Sequence, residues 1–292
     1  MKLGLFLPFA TPLADAAFVR AVGTAAEAAG FDSIWVAEHV VLFDEYASKY
    51  PYAADGRIPA GGTSGILEPF NALTFLAGCT QRIRLGTGIC LVPQRNPVYT
   101  AKEAATVDWL SGGRLDLGVG VGWLAEEFEA VGVPFERRGE RCRSYLEVMK
   151  RLWCDPVSEY ADEFYQLPAC RAYPKPVQQP HPPIHFGGES EAALRRVADV
   201  GQGWYGFNLG PEELADRLKR LDQLLAAKGR KRSDVQITVS PYLRTRAPDL
   251  EAYKRAGADQ VILLAFAANA EGAKSAIAKL AEDFLPLARK LA

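Results

Sequence analysis

The feature that most constrains this chain is a strand-then-helix alternation, repeated eight times along its 292 residues. The strand-like runs are Lys2–Pro8, Ser33–His39, Arg84–Val92, Leu115–Gly122, Ile184–Gly187, Trp204–Asn208, Val235–Tyr242 and Gln260–Phe266. They are apolar almost throughout, as strands are when helices cover both faces of a parallel sheet. The segments between them have helical spacing. Asp15–Ala29 sets Phe18, Val22, Ala25, Ala26 and Ala29 on one face and stops at Gly30. Pro211 opens another, with Leu214, Leu218, Leu221 and Leu225 as its stripe. Eight such units predict an α/β fold, a single (β/α)8 TIM barrel over residues 1–292. Length alone would admit two domains, but barrels of about 250 residues commonly form one. The competing architecture, an open doubly wound sheet, is opposed by the strand count and by the lack of a G-x-G-x-x-G after the first strand. Gly118-Val119-Gly120-Val121-Gly122 ends the fourth strand instead of opening a helix.

Two departures from the alternation stand out. Val40 to Leu67, with Phe43, Tyr46, Tyr50 and Tyr52, is too long for a plain connection and predicts a lid over residues 40–65, after strand two. Residues 157–173 alternate around a polar centre and predict a hairpin excursion, from which a Pro-rich connector returns to the fifth barrel strand.

The net charge of −1 offers no basic field for a nucleic-acid backbone and leaves a small organic molecule as the expected partner. No run approaches the roughly 18 consecutive apolar residues of a membrane helix. Met1-Lys2 and the apolar stretch after it superficially resemble a short signal peptide, but Pro8 ends the run and an amphipathic helix follows. A first barrel strand and a cytoplasmic enzyme are the expectation. The five cysteines, at 79, 90, 142, 154 and 170, have no CxxC pair and read as reduced thiols.

In such barrels the chemistry lies in the loops after the C-terminal ends of the strands. Glu38-His39 ends the second strand, where a period of two sends the side chains to opposite faces, so only one can face the mouth directly. With three histidines in the chain, His39 is the candidate proton donor or acceptor; the alternative is a histidine capping a loop carbonyl. His181 and His185 are separated by prolines that forbid a metal-binding helical pair, and His185 is expected inside the barrel. Gly86 and Gly88, with Ile89 and Cys90, suggest a bulge against a flat ligand, or simple packing of helix on strand. Cys90 reads as a small buried hydrophobe. Gly187-Gly188-Glu189-Ser190 joins a strand to a helix, which makes a phosphate seat, a tight turn with Ser190 as N-cap, or both. The charged stretch with Glu126, Glu127, Glu129, Arg137, Arg138, Glu140 and Arg141 reads mostly as a solvated helix face, with one arginine able to reach a ligand phosphate.

Together, Ser33-Ile-Trp-Val-Ala-Glu-His39, Arg84-Leu-Gly-Thr-Gly-Ile89, Pro93-Gln-Arg-Asn-Pro97, Leu110-Ser-Gly-Gly-Arg114, Leu117-Gly-Val-Gly-Val-Gly-Trp123 and Pro183-Ile-His-Phe-Gly-Gly-Glu-Ser190 resemble the luciferase-like flavin-dependent oxidoreductases, in particular the subgroup dependent on the deazaflavin coenzyme F-420. The resemblance covers nearly the whole chain. It implies that His39 lies beside the ring and acts in proton transfer or substrate binding. It implies a cis peptide at Gly88–Ile89 backing the ring, and a cofactor phosphate at Gly187, Gly188, Glu189 and Ser190, with Glu38 and Gly122 among the lining residues. It also implies a homodimer that buries the helices after strands two and three. Some relatives using flavin mononucleotide (FMN) carry an arginine just after strand four, where this chain has Val121 and Trp123. The carboxylate that some deazaflavin dehydrogenases carry near Trp123 is also missing there. The expected activity is hydride transfer between reduced coenzyme F-420 and a small organic substrate, without a metal. The alternatives are a monooxygenase using reduced FMN and oxygen, and, from another class, a flavin-binding barrel without turnover.

Overall fold

The computed structural model describes residues 1–58, 63–243, 245 and 247–292. Its strands, in chain order, are β1 (Lys2–Leu7), β2 (Ser33–Val36), β3 (Arg84–Thr87), β4 (Leu115–Val119), β5 (Ser158–Ala161), β6 (Gln166–Cys170), β7 (Ile184–Gly187), β8 (Gly203–Gly206), β9 (Gln236–Val239) and β10 (Gln260–Leu264). All but β5 and β6 close a parallel ring, with β10 returning to β1 in the register Lys2↔Gln260 to Phe6↔Leu264. This is the predicted barrel. β5 and β6 pair antiparallel outside it, as the predicted excursion before the fifth barrel strand.

The surrounding helices are α1 (Ala16–Ala29), α2 (Pro69–Cys79), α3 (Pro97–Ser111), α4 (Ala125–Ala130), α5 (Arg138–Cys154), α6 (Glu191–Val200), α7 (Pro211–Ala226), α8 (Leu250–Ala256) and α9 (Ala270–Lys290). Their ends follow local chemistry. The Asp15 carboxylate accepts the Phe18 N–H at the start of α1, and Gly30, at φ 95°, ends it in the left-handed region. Buried faces such as Leu214, Leu218, Leu221 and Leu225 of α7 build the layer between strands and helices. A second, smaller cluster fills the barrel itself: Phe6, Trp35, Tyr205 and Ile262, with Ala37, Ile89, Phe207 and Leu264 partly buried above them.

The opposite end of the interior is polar. Buried Asp116 accepts Arg84 Nε at 2.8 Å and Nη2 at 2.6 Å, and faces His185 Nε2 at 3.5 Å. Burial opposes its charge, but His185 and Arg84 outweigh that and hold its pKa at about 2. His185 therefore lies inside the barrel, as expected, in space that Gly203 leaves by lacking a Cβ. Such an N-terminal face serves stability.

The ladders are shorter than the sequence runs at their C-terminal ends. β2 stops at Val36, not His39; β3 stops at Thr87, not Val92; β4 stops at Val119, not Gly122. The sequence shows no turn signal at these points, but the chain peels out of the ladder to form the rim. A cis peptide at Gly88–Ile89 and a 3-10 turn at Val92–Gln94 follow β3, and Gly122 has a φ of 79°. Residues 63–67 return beside β1, where Leu67 N–H donates to the Phe9 carbonyl.

Candidate active site

The parity argument at the end of β2 resolves in favour of His39. Trp35 and Ala37 belong to the interior cluster, and His39 continues that face to the mouth. Glu38 takes the other side. Its carboxylate, only 5% exposed, accepts the Leu91 N–H and pairs with Arg95, which also reaches Glu68 at 2.6 Å and Glu103 at 3.1 Å. Burial pushes the Glu38 carboxyl above its usual range, against the pull of Arg95. This group braces the loop after β3 from outside the barrel wall.

His39 has a partner absent from the sequence reading. Its Nδ1 lies 3.3 Å from both carboxylate oxygens of Glu127, 88 positions away. Glu127 is wholly buried and also accepts the Val40 N–H at 2.7 Å and Gln94 Nε2 at 3.1 Å. A buried carboxylate needs several donors, and here the rim supplies them. An ionised carboxylate only accepts, so it holds a proton on Nδ1 and leaves His39 Nε2 as the nitrogen able to exchange one. A signal for Glu127 was present: Leu124, Glu127 and Phe128 are spaced i, i+3, i+4, and all three are buried. The charged stretch is thus not only a solvated face.

Beside His39, the rim offers an apolar platform. Ile89, half-buried, has its side chain in a hollow left by Gly120 and Gly187; a Cβ at Gly187 would lie 2.7 Å from its Cδ1. Gly86 faces the Trp35 ring, so that glycine serves packing. Across the mouth, the turn after β7 is held by Trp204 Nε1 donating to the Gly188 carbonyl at 2.9 Å. Gly188 has a φ of 96°, and Ser190 caps α6 by accepting the Ala193 N–H at 3.2 Å. The α6 N–H groups that a helix start leaves unpaired open at this turn.

Glu189 behaves differently from its neighbours in the turn. It accepts the Phe207 N–H at 2.8 Å and the Tyr52 hydroxyl at 2.9 Å, and burial pushes its carboxyl up. It is the anchor of the predicted lid. Tyr52 packs on Phe207 at 4.9 Å, Tyr50 on Trp123 at 5.3 Å, and Trp123 stands 5.9 Å from His39. On the other side, Glu126 accepts the Ala47 and Ser48 N–H groups at 2.6 and 3.2 Å. The strap thus crosses the mouth from α4 to the turn after β7. Pro59, Ala60, Gly61 and Gly62 of the predicted lid lie outside the described residues.

The structure therefore brings His39, Gly88, Ile89, Gly122, Gly187, Gly188 and Ser190 around one mouth, and turns the carboxylates of Glu38 and Glu189 to other partners. His181 sits apart, against Trp153. Cys90 is fully buried, and burial together with Glu38 pushes its thiol up, so it packs as a small hydrophobe. Among the described residues, no helix is long and apolar enough to cross a membrane.

A profile of the luciferase-like monooxygenases matches residues 1–291. An uncharacterised protein of Mycobacterium tuberculosis (strain ATCC 25618 / H37Rv) is 33% identical over 222 residues, 76% of each chain. Among solved structures, the coenzyme F-420-dependent tetrahydromethanopterin reductase of Methanopyrus kandleri superposes with a TM-score of 0.76 at 17% identity, covering 98% of this chain and 99% of that one. A long-chain alkane monooxygenase gives 0.81 at 13% identity, over 99% and 91%. These two likenesses concern the fold.

Proposed function

This chain belongs to the luciferase-like monooxygenase family and is an oxidoreductase; on that premise, we propose that it transfers hydride between reduced coenzyme F-420 and a small organic substrate at the mouth built around His39. The observation that carries the reading is the pairing of His39 with buried Glu127 beside the Ile89 platform. The residues suit a flat ring with a phosphate. Ile89, backed by Tyr205, Phe6 and Trp35, offers an apolar surface, while Gly188 and the start of α6 offer backbone donors. When bound, the reduced deazaflavin supplies hydride from the carbon that replaces the reactive nitrogen of a flavin. His39 Nε2 accepts or returns the substrate proton, and Glu127 holds the imidazole in that tautomer. Tyr50, Tyr52 and Trp123 exclude water above it. Burial pushes the Tyr50 hydroxyl up to about 12 and that of Tyr52 higher still, so both stay neutral at physiological pH.

Reduced FMN with oxygen is the second reading, and Arg138 favours it. This guanidinium donates to the Gly122 carbonyl at 3.0 Å, close to where some FMN relatives place an arginine. Fluorescence titration of the purified chain with each cofactor decides. Saturable micromolar binding of F-420 is expected, and binding of FMN alone would reverse the choice. We also read residues 1–292 as one domain in a homodimer through α2 and α3. Tyr99, Trp109 and Leu110 of α3 are 72%, 57% and 59% exposed, an apolar face that suits such an interface. A monomer in sedimentation would overturn that part.

A further inference from the structure

We propose that a basic groove on the outer face of α6 receives the carboxylate-bearing tail of coenzyme F-420. The proposal rests on the deazaflavin reading and extends it beyond the ring and phosphate. The groove, about 470 Å³, runs between the start of α5 and the end of α7, with Ala192 and Leu224 as apolar lining and Arg143, Arg195, Arg196 and Lys228 around them. Ala192, Arg195 and Arg196 share one face of α6 at i, i+3 and i+4. Ala192 lies two positions after Ser190, so the groove begins where the predicted phosphate turn ends.

The charges in the groove fall into two groups. Arg195 pairs with Glu191 at 3.0 Å, Lys228 with Asp199 at 2.7 Å, and Arg137 with Glu140 at 2.7 Å. Arg143 and Arg196 make no ion pair or hydrogen bond among the described residues. Arg138 donates to the Gly122 carbonyl and stacks on Phe135 at 3.8 Å, without an acid. The Arg196 guanidinium also stands against the first turn of α5, since a Cβ at Gly139 would lie 3.4 Å from its Nη1. That turn is the positive end of a 17-residue helix whose N-cap, Arg137, supplies no side-chain acceptor. Arg143, Arg196 and Arg138 thus converge without a direct ion pair among the described residues, with only Glu140 near Arg143 and Glu136 near Arg138 to offset them, an arrangement that a further anion relieves. Burial lowers the pKa of Arg138 and of Arg196, and proximity to Arg196 lowers that of Arg138 further.

The chemistry of the two candidate cofactors separates here. FMN ends at its phosphate. F-420 continues through a phosphodiester into glutamyl units, each bearing a carboxylate. Ser190 and Arg196 are about 9 Å apart along the helix axis, six residues at the helical rise, so a terminal phosphate in the turn leaves the groove unmet. A chain of carboxylates meets it.

The test is fluorescence titration of the full-length protein with F-420 bearing several glutamates and with the form lacking them. Wild type, Arg196→Gln, Arg143→Gln and, as a paired control, Arg195→Gln are compared. We expect the glutamylated form to bind more tightly to wild type. Arg196→Gln and Arg143→Gln should each weaken it by about fivefold and leave the truncated form unchanged. The difference should shrink at high salt, and Arg195→Gln should have little effect. Equal affinity of the two forms for wild type, or variants that leave the glutamylated form unaffected, overturns the groove while the deazaflavin reading stands. Binding of neither form, with binding of FMN, overturns both.

Discussion

Replacing Glu127 by glutamine isolates the pairing on which the proposed chemistry turns. The side chain keeps its shape, so the cost can be worked from its contacts. One carboxylate oxygen accepts the Val40 N–H at 2.7 Å, the other Gln94 Nε2 at 3.1 Å, and His39 Nδ1 is 3.3 Å from both. The new amide nitrogen must face one of these donors. Turning it toward Gln94 is the cheaper choice, because Gln94 Oε1 is buried with no partner among the described residues and can accept after a flip of its own amide. The stability cost is then about 1–2 kcal/mol, that of a rearranged buried hydrogen bond. His39, however, now faces an amide that can accept from Nδ1 only through its remaining oxygen, and its tautomer is no longer fixed. We expect turnover to fall about 100-fold, the usual worth of a well-placed acid–base group. Cofactor affinity should stay within about threefold, since His39 stands between Glu127 and the mouth. The assay is kcat across pH with whatever substrate the wild type turns over, beside a fluorescence Kd and urea unfolding. A folded Glu127→Gln protein with wild-type kcat and an unchanged pH profile would refute the positioning argument. A loss confined to cofactor affinity would reduce Glu127 to an anchor for the strap.

Three further perturbations test the frame around the site. Asp116, held at about 2 against an ordinary 3.8, stabilises the fold above the ordinary value and loses that contribution as pH falls through about 2. Asp116→Asn should therefore cost about 2 kcal/mol at pH 7 and flatten the stability curve between pH 4 and 2; an acid limb identical to wild type contradicts this. Arg95→Met strands the buried Glu38 carboxylate and should cost about 3–5 kcal/mol in urea unfolding, partly restored by adding Glu38→Gln; a neutral single variant would deny the ion-pair cluster its role. Tyr52→Phe removes the donor to Glu189 and should speed both proteolysis within residues 40–58 and cofactor association; unchanged rates would mean that this bond does not latch the lid.

The barrel was legible because each strand is bracketed by turn chemistry and buried on both sides. The one-residue parity of Glu38 and His39 was legible for the same reason. The ends of the strands were not. Residues 88–92 and 120–122 carry no polar break and 37–39 keep the strand's alternation, yet all three leave the ladder to shape the rim, a tertiary demand that periodicity does not record. Gly86 and Gly88 suggested a bulge or simple packing without naming a partner, while Gly120 was read only as part of a strand end and Gly187 as part of a turn. Gly86 makes room for Trp35, and Gly120 and Gly187 for Ile89. Glu127 was hidden among Glu126 and Glu129, which suggested a charged surface, although its spacing with Leu124 and Phe128 placed it on the buried face. Glu189 was read by its place in a glycine turn, and only the fold shows its carboxylate facing Tyr52 from 137 positions away.

The measurement that bears most directly on the account is the split between turnover and cofactor affinity in His39→Ala. The substitution removes the imidazole at the mouth while Glu127 keeps Val40 and Gln94 as donors, so the rim retains its frame. The account predicts kcat lower by about 100-fold or more, with F-420 affinity within about threefold of wild type. Wild-type turnover across pH, or a loss explained wholly by weaker cofactor binding, would contradict it.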